Sequence, residues 1–152
     1  MAYTNNAFCW HGVISTDTAA ARDFYTQVLP WTAVDAEMGG DTVTMFAAGD
    51  VPRLHLGSPQ MEGVPSHFSN YLRVADVDAL TTEAVEAGGT QIVPPTDIPP
   101  GRFSVVTSPS GAAICLFHEA DEATAQDAPS APGGVHWVEL HSHDVAADRA
   151  WL

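Results

Sequence analysis

The chain has 152 residues, with 19 acidic residues against five basic ones, and its formal net charge is −14. This charge repels phosphate backbones and anionic lipids, which argues against nucleic-acid and membrane-surface partners. No apolar run approaches the roughly 18 residues that span a bilayer, and the N-terminus lacks a signal-peptide pattern. We therefore expect a cytoplasmic protein in which Cys9 and Cys115 are reduced.

The first part of the sequence predicts one helix among several strands. Asp17 or Thr16 is a suitable N-cap, and Pro30 ends the helix. The turn at Gly49-Asp50 joins a predicted hairpin. The predicted elements are a strand over 8–15, a helix over 18–29, and strands over 31–37, 42–48 and 52–57.

The same order of elements then restarts. Asp76 or Asp78 caps a second helix, which ends at Gly88-Gly89, and Pro94-Pro95 cuts the next strand short. A polar stretch rich in Ala, Pro and Gly follows over 119–134 and predicts a linker. The predicted elements are a strand over 67–74, a helix over 77–87, and strands over 91–93, 102–107 and 112–118.

A motif near the start of the chain occurs again at its end. Residues 10–24 and 137–151 align without a gap, and their Trp, Ser, Asp, Ala and Arg residues coincide. Internal repeats of this kind indicate repeated structural units. We therefore predict a module over 1–118, the linker over 119–134, and the first strand and partial helix of a truncated second module over 135–152.

The tandem pattern resembles a known family. In the first half, the motifs that carry the resemblance are Trp10, Asp17-Thr-Ala-Ala-Ala-Arg-Asp-Phe-Tyr25 and Leu29-Pro-Trp31. In the second half they are Tyr71-Leu-Arg-Val-Ala-Asp-Val-Asp78, Glu86-Ala-Gly-Gly89 and Ser108-Pro-Ser-Gly-Ala112. The chain resembles the vicinal oxygen chelate superfamily of glyoxalase I, bleomycin-resistance proteins and extradiol dioxygenases, in its four-unit type truncated in the third unit. The resemblance implies an α+β fold whose tandem βαβββ units form a half-barrel cavity.

The resemblance also implies positions for the ligands of a divalent metal. These positions fall at Trp10, Ser69 and Cys115, and at or beside His55. That set differs from the His and Glu residues that an oxygen-handling metal prefers, which favours a protein without a full metal site. The alternative is a shifted metal site at His55 and His67, with Cys115 as a further zinc ligand, and zinc, iron, manganese or nickel as the metal.

Residues on one face of the predicted strands are candidates for contact with a small-molecule ligand. Aromatic side chains offer flat apolar walls, and Arg73 offers a fork of hydrogen-bond donors for an anionic or carbonyl group. The alternatives are core packing for the aromatic residues and a salt bridge from Arg73 to Asp76 or Asp78. The candidates are Trp10, Ser69, Tyr71, Arg73, Cys115 and Phe117.

Two functions follow from these patterns, and no motif identifies catalytic residues. The first is a small-molecule-binding protein of the glyoxalase and bleomycin-resistance kind, without a full metal site. The second is a divalent-metal-dependent lyase or dioxygenase of the same superfamily, which the fold analogy alone supports. The strand predicted over 135–141 has no partner within its truncated module, and we therefore expect a homodimer.

Overall fold

The computed structural model describes residues 6–121 and 133–151. Strands and helices follow the order β-α-β-β-β twice, as the sequence predicts, and the fold is α+β. The first set is β1 (Phe8–Ile14), α1 (Thr18–Val28), β2 (Thr32–Met38), β3 (Asp41–Ala48) and β4 (Val51–Gly57). The second set is β5 (His67–Arg73), α2 (Val77–Glu86), β6 (Thr90–Ile98), β7 (Gly101–Thr107) and β8 (Ala113–Glu119), followed by α3 (Val145–Trp151). No helix in these two stretches is long and apolar enough to cross a membrane.

The chain divides into two compact units. The first unit comprises residues 10–70 and 133–136, and its strands follow the order β2-β3-β4-β1. The second unit comprises residues 6–9, 71–121 and 137–151, and its strands follow the order β5-β8-β7-β6. Each unit contains one parallel pair, β1 with β4 and β5 with β8, while the hairpin strands pair antiparallel.

In the first unit, an apolar core forms between the strands and α1. Asp17 begins the helix, since its carboxylate accepts a hydrogen bond from the Ala20 backbone N–H at 2.9 Å. Ala21 and Tyr25 pack from the helix against the buried side chains. Those buried side chains are Val13, Trp31, Phe46, Leu54 and Leu56. Because strand side chains alternate between faces, residues 10, 12 and 55 are directed away from this core.

The second unit repeats this construction around α2. Asp76 caps the helix by accepting from the Ala79 backbone N–H at 3.0 Å. The core consists of Val74, Val77, Val106 and Leu116. Its buried hydroxyl groups are satisfied, because Thr81 and Ser104 bond to one another at 2.7 Å.

The strand predicted over 91–93 is longer than expected. β6 runs from Thr90 to Ile98 and therefore includes Pro94 and Pro95, which the sequence analysis treated as its end. The strand pairs with β7 alone in the strand order, and its register shifts twice, between Gln91 and Val93 and between Val93 and Thr96. Proline has no backbone N–H. It is tolerated there because some backbone N–H groups of an edge strand, and those at its bulges, do not pair with a neighbouring strand.

The strand predicted over 135–141 is not formed, although the helix predicted after it is present. Residues 135–141 have no regular secondary structure, and Trp137 is 77% exposed. A strand needs a neighbour to accept its ladder of hydrogen bonds, and no strand of the described residues pairs with this segment. Residues 122–132, which make up most of the predicted linker, lie outside the described residues. The module boundary near residue 134 stays a prediction.

Helix α3 is anchored to the second unit by a buried carboxylate. Asp148 is 1% exposed and accepts hydrogen bonds from the Ser110 hydroxyl and from the Ser110 backbone N–H. These bonds, with one from Ser142, lower the pKa of Asp148 to about 2. Trp151 donates its indole N–H to the Ala84 carbonyl at 2.9 Å. A Cβ at Gly89 would lie 2.7 Å from that indole nitrogen, so this close approach requires glycine.

Candidate ligand-binding site

An aromatic and a histidine side chain form a hydrogen-bonded pair on the first unit's sheet. Gly12 of β1 lies opposite His55 of β4 in the parallel ladder. Trp10 lies two residues before Gly12 and therefore on the same face. Its indole Nε1 donates to His55 Nδ1 at 3.0 Å, and both side chains are only partly buried. An indole–imidazole pair is therefore open to contact on the face that α1 does not cover.

The pairing defines the state of the His55 ring. An indole nitrogen can only donate, so His55 Nδ1 must be the acceptor, and the neutral ring carries its proton on Nε2. Burial lowers the pKa of His55, while a hydrogen bond with the His11 backbone opposes that change in part. The imidazole is consequently neutral at pH 7.

A second histidine lies beside this pair on the other face of β1. His11 is 3% exposed, and its Nδ1 donates to the Asn70 side-chain oxygen at 2.9 Å. Burial lowers the pKa of His11, and the Asn70 hydrogen bond opposes that effect. The first unit thus holds two neutral imidazoles, one buried and one half-buried, on its neighbouring strands β1 and β4.

We expect Gly12→Ala to be disruptive, because His55 occupies the space above Gly12. A Cβ at residue 12 would overlap His55 Cε1. Displacing the ring should lower the free energy of unfolding by about 1–3 kcal/mol, as overpacking generally does. Urea denaturation would measure the effect. Gly57→Ala is the matched control, since its Cβ would lie 3.4 Å from Ile14 and in ordinary contact; equal losses in both variants would contradict this role of Gly12.

The donor set of the first unit does not fit a divalent metal as it stands. Trp10, at the first ligand position that the resemblance implies, offers only an N–H donor. That N–H occupies His55 Nδ1, the atom that a metal would need if it approached from this side. His67 is exposed, with its Nδ1 at 2.8 Å from the Pro65 carbonyl. Among the described residues no three His, Cys, Asp or Glu side chains form a metal-binding group. Metal binding by His55 and His67 stays a prediction.

Four of the predicted ligand-binding residues lie together in the second unit. Tyr71 and Arg73 of β5 pair with Cys115 and Phe117 of β8 in the parallel ladder. The rings of Tyr71 and Phe117 meet edge to face with centroids 6.1 Å apart. Burial raises the pKa of Tyr71, and its hydrogen bond with the Cys115 thiol raises that pKa further. The phenol is therefore a neutral hydrogen-bonding group at physiological pH.

Arg73 has a different ion-pair partner from the ones expected. The guanidinium is 1% exposed and contacts the Glu119 carboxylate through Nε at 2.8 Å and through its terminal nitrogen at 2.7 Å. Of the two expected partners, Asp78 binds Arg102 of β7 at 2.7 Å, and Asp76 accepts from the Ala79 backbone N–H at the start of α2. Glu119 was not predicted as the partner, because it falls within the predicted linker over 119–134. Strand alternation along β8 places residues 115, 117 and 119 on one face and could have identified it.

The remaining predicted residues lie in the first unit, where the sequence analysis also missed one contact. Ser69 is a partly buried residue of β5, and Trp10 belongs to the pair with His55. Asn70 was not predicted to take part, although it is the side-chain partner of the buried His11. Strand alternation places Asn70 on the face of β5 opposite Ser69, and this was the signal that could have indicated the contact with His11.

A family model matches residues 8–116, and its description is the Glyoxalase/Bleomycin resistance protein/Dioxygenase superfamily. Among curated proteins, the chain is 32% identical over 165 residues to the anthracycline biosynthesis protein DauV of Streptomyces sp. strain C5. That alignment covers 98% of this chain and 60% of the relative, so the chain spans only part of the relative's length.

Solved structures share the fold at low sequence identity. One is the Mn(II)-bound glyoxalase from Novosphingobium aromaticivorans, with a TM-score of 0.51 and 18% identity, covering 89% of this chain and 42% of that one. Another is a methylmalonyl-CoA epimerase variant from Streptomyces coelicolor in complex with 2-nitronate-propionyl-CoA. It gives a TM-score of 0.53 at 16% identity, covering 78% of this chain and 100% of that one. These similarities support the α+β fold and leave the ligand open.

Proposed function

We propose, since the chain belongs to the Glyoxalase/Bleomycin resistance protein/Dioxygenase superfamily, that it binds a small, flat organic molecule without needing a metal. The observation that carries the proposal is the pair of Trp10 and His55 on the open face of the first unit. Aromatic side chains dominate small-molecule sites, where a few polar groups fix the ligand's orientation. This pair offers an indole face beside a neutral imidazole.

The name of one relative supports a class of ligand. DauV is called an anthracycline biosynthesis protein, and its alignment covers nearly all of this chain. Anthracyclines contain a planar, fused aromatic system that can stack on an indole, which is a favourable aromatic contact. We therefore propose a planar aromatic ligand of the anthracycline kind. In the first unit, Ser69 is a further candidate for ligand contact. Within the second unit, the candidates for ligand contact are Tyr71, Arg73, Cys115 and Phe117.

Titration of the protein with doxorubicin, followed by the drug's own fluorescence, tests this proposal. We expect saturable binding, and we expect Trp10→Ala to weaken it by about tenfold or more, as loss of a stacking partner worth about 1.5 kcal/mol would do. Phe24→Ala is the matched control, because Phe24 is an aromatic residue of α1 that is 56% exposed and lies outside the pair. Equal affinity of the Trp10 and Phe24 variants would contradict a role for Trp10.

Metal analysis separates this proposal from the enzymatic alternative. Mass spectrometry of untagged protein prepared without chelator should find no stoichiometric divalent ion. About one tightly held ion per chain, lost in the His55→Ala or His67→Ala variant, would instead favour the metal-dependent lyase or dioxygenase. The indole of Trp10 can only donate a hydrogen bond and cannot ligate a metal through a lone pair, which supports the metal-free proposal.

We also propose that the chain forms a homodimer. The exposed apolar side chains Trp137, Leu140 and Val145 support a contact with a second copy, since large exposed apolar patches often mark interfaces. Light scattering at micromolar concentration should give about twice the chain mass of 16.1 kDa. A monomer mass under those conditions would contradict the expectation.

We place the protein in the cytoplasm. Cys9 and Cys115 are both buried and form no disulfide, which suits a reducing compartment. Cell fractionation with an antibody against the chain tests the location, and recovery in the secreted fraction would oppose it.

A further inference from the structure

Trp10 lies at one of the positions where the resemblance implies a metal ligand, and His55 lies at or beside another. A metal would draw both positions together through its own bonds. Here a direct hydrogen bond of 3.0 Å joins the two side chains, with the indole as donor and the imidazole as acceptor. The side chains of β1 and β4 are therefore linked on this face by a hydrogen bond within the protein, without a metal.

We propose that His55 is a positioning residue that holds the Trp10 indole as the stacking surface for the ligand. For its ligand, this inference rests on the proposed function. Three restraints fix the imidazole: the bond to Trp10, a hydrogen bond with the His11 backbone, and contact with the backbone at Gly12. A ring held on three sides orients the indole that bonds to it, which lowers the entropy lost when a ligand stacks.

The arrangement also selects among ligands. Because the indole N–H is already bonded to His55, it need not seek a partner in the ligand. The indole therefore presents an aromatic face whose polar atom is satisfied. Flat π systems gain from offset stacking on such a face, whereas saturated ligands of equal size gain only apolar burial.

Variants of His55 test whether binding depends on a hydrogen-bond acceptor at the Nδ1 position or only on the size or polarity of the side chain. His55→Asn places a carbonyl oxygen close to the Nδ1 position, where it can accept from Trp10. His55→Gln has the same functional group one bond farther along the side chain, so its oxygen does not reach that position. His55→Leu removes the acceptor. We expect the Asn variant to bind doxorubicin within about threefold of the native protein, and the other two about tenfold more weakly.

The indole N–H signal in a 1H–15N NMR spectrum reads the positioning directly. Loss of one signal in Trp10→Phe assigns it among the four tryptophans. The signal should shift upfield in the Gln and Leu variants and return towards its native position in the Asn variant. Should the Leu variant fail to fold, the Asn and Gln pair decides the matter.

The two readouts distinguish this inference from the proposed function. An unshifted Trp10 signal in the Gln variant would overturn the positioning role, whatever the affinity. Absence of doxorubicin binding by the native protein would contradict the proposed ligand class, and the NMR signal would then decide the positioning role alone. A native-like affinity in the Gln variant, with the signal shifted, would show that the orientation of Trp10 does not control binding and would also overturn the inference.

Discussion

Replacing Arg73 with Met should lower the free energy of unfolding by about 3–5 kcal/mol, the usual cost of removing one partner of a buried ion pair. Arg73 is 1% exposed, and the Glu119 side chain that it binds is 13% exposed. The Met side chain fills much of the same volume, so the loss arises mainly from a carboxylate left without its guanidinium. Chemical denaturation followed by circular dichroism would measure the change.

Two further variants test the cause of that loss. Arg73→Met combined with Glu119→Leu removes both charges, and we expect it to be clearly more stable than Arg73→Met alone. Arg22→Met is the matched control, because Arg22 and Asp35 form an ion pair at 3.0 Å whose side chains are 41% and 47% exposed. That variant should lose less than about 1 kcal/mol. Equal stability of the single and double variants at position 73 would show that the ion pair is not the source.

Acidification below about pH 6.5 should destabilise the protein through His11 and His55. Both have a lowered pKa in the folded state, with burial as the main cause. The unfolded chain therefore binds more protons than the folded one between the ordinary histidine pKa and the folded value. Stability rises with pH wherever the unfolded state holds more protons, so it must fall as pH decreases through this range. Each histidine contributes a slope of at most about 1.4 kcal/mol per pH unit.

Denaturation midpoints measured at half-unit steps between pH 7.5 and 5.5 would test this prediction. Asp35, Asp78 and Asp148 have a lowered pKa in the folded state, so their contribution to stability is lost only as the pH falls towards the unfolded-state pKa of about 4, below this window. His11→Asn combined with His55→Asn should flatten the slope, because it removes both histidines whose pKa is lowered in the folded state. A slope that persists in the double variant would assign the effect to other groups.

The order of elements could be predicted because each helix and strand carries local signals. Both N-caps, Asp17 and Asp76, bind the backbone as the sequence indicates, and both hairpins follow their turn residues. The errors concern pairing between distant segments. The local sequence of residues 135–141 does not reveal whether another strand will pair with them. Pro94-Pro95 would end a strand with neighbours on both sides, but β6 has a neighbour on one side only.

For the candidate site, the sequence could predict which residues share one face of a strand. Counting along the strands identified Trp10, Tyr71, Cys115 and Phe117 as members of such faces. The hydrogen bonds among side chains were not predictable, since they depend on rotamers and on the register between strands far apart in sequence. For that reason the acceptor role of His55 and the partner of Arg73 emerged only with the structure.

The prolines of β6 have a consequence for the behaviour of the protein at high concentration. An outer strand with a regular row of unpaired N–H and C=O groups can template the addition of another strand, which is one route to aggregation. Pro94 and Pro95 remove two N–H donors from this strand, and its two register shifts break the row further. Edge-to-edge stacking through β6 is therefore disfavoured. Replacing both prolines with Thr or Val would restore the donors and should lower solubility before it alters ligand affinity.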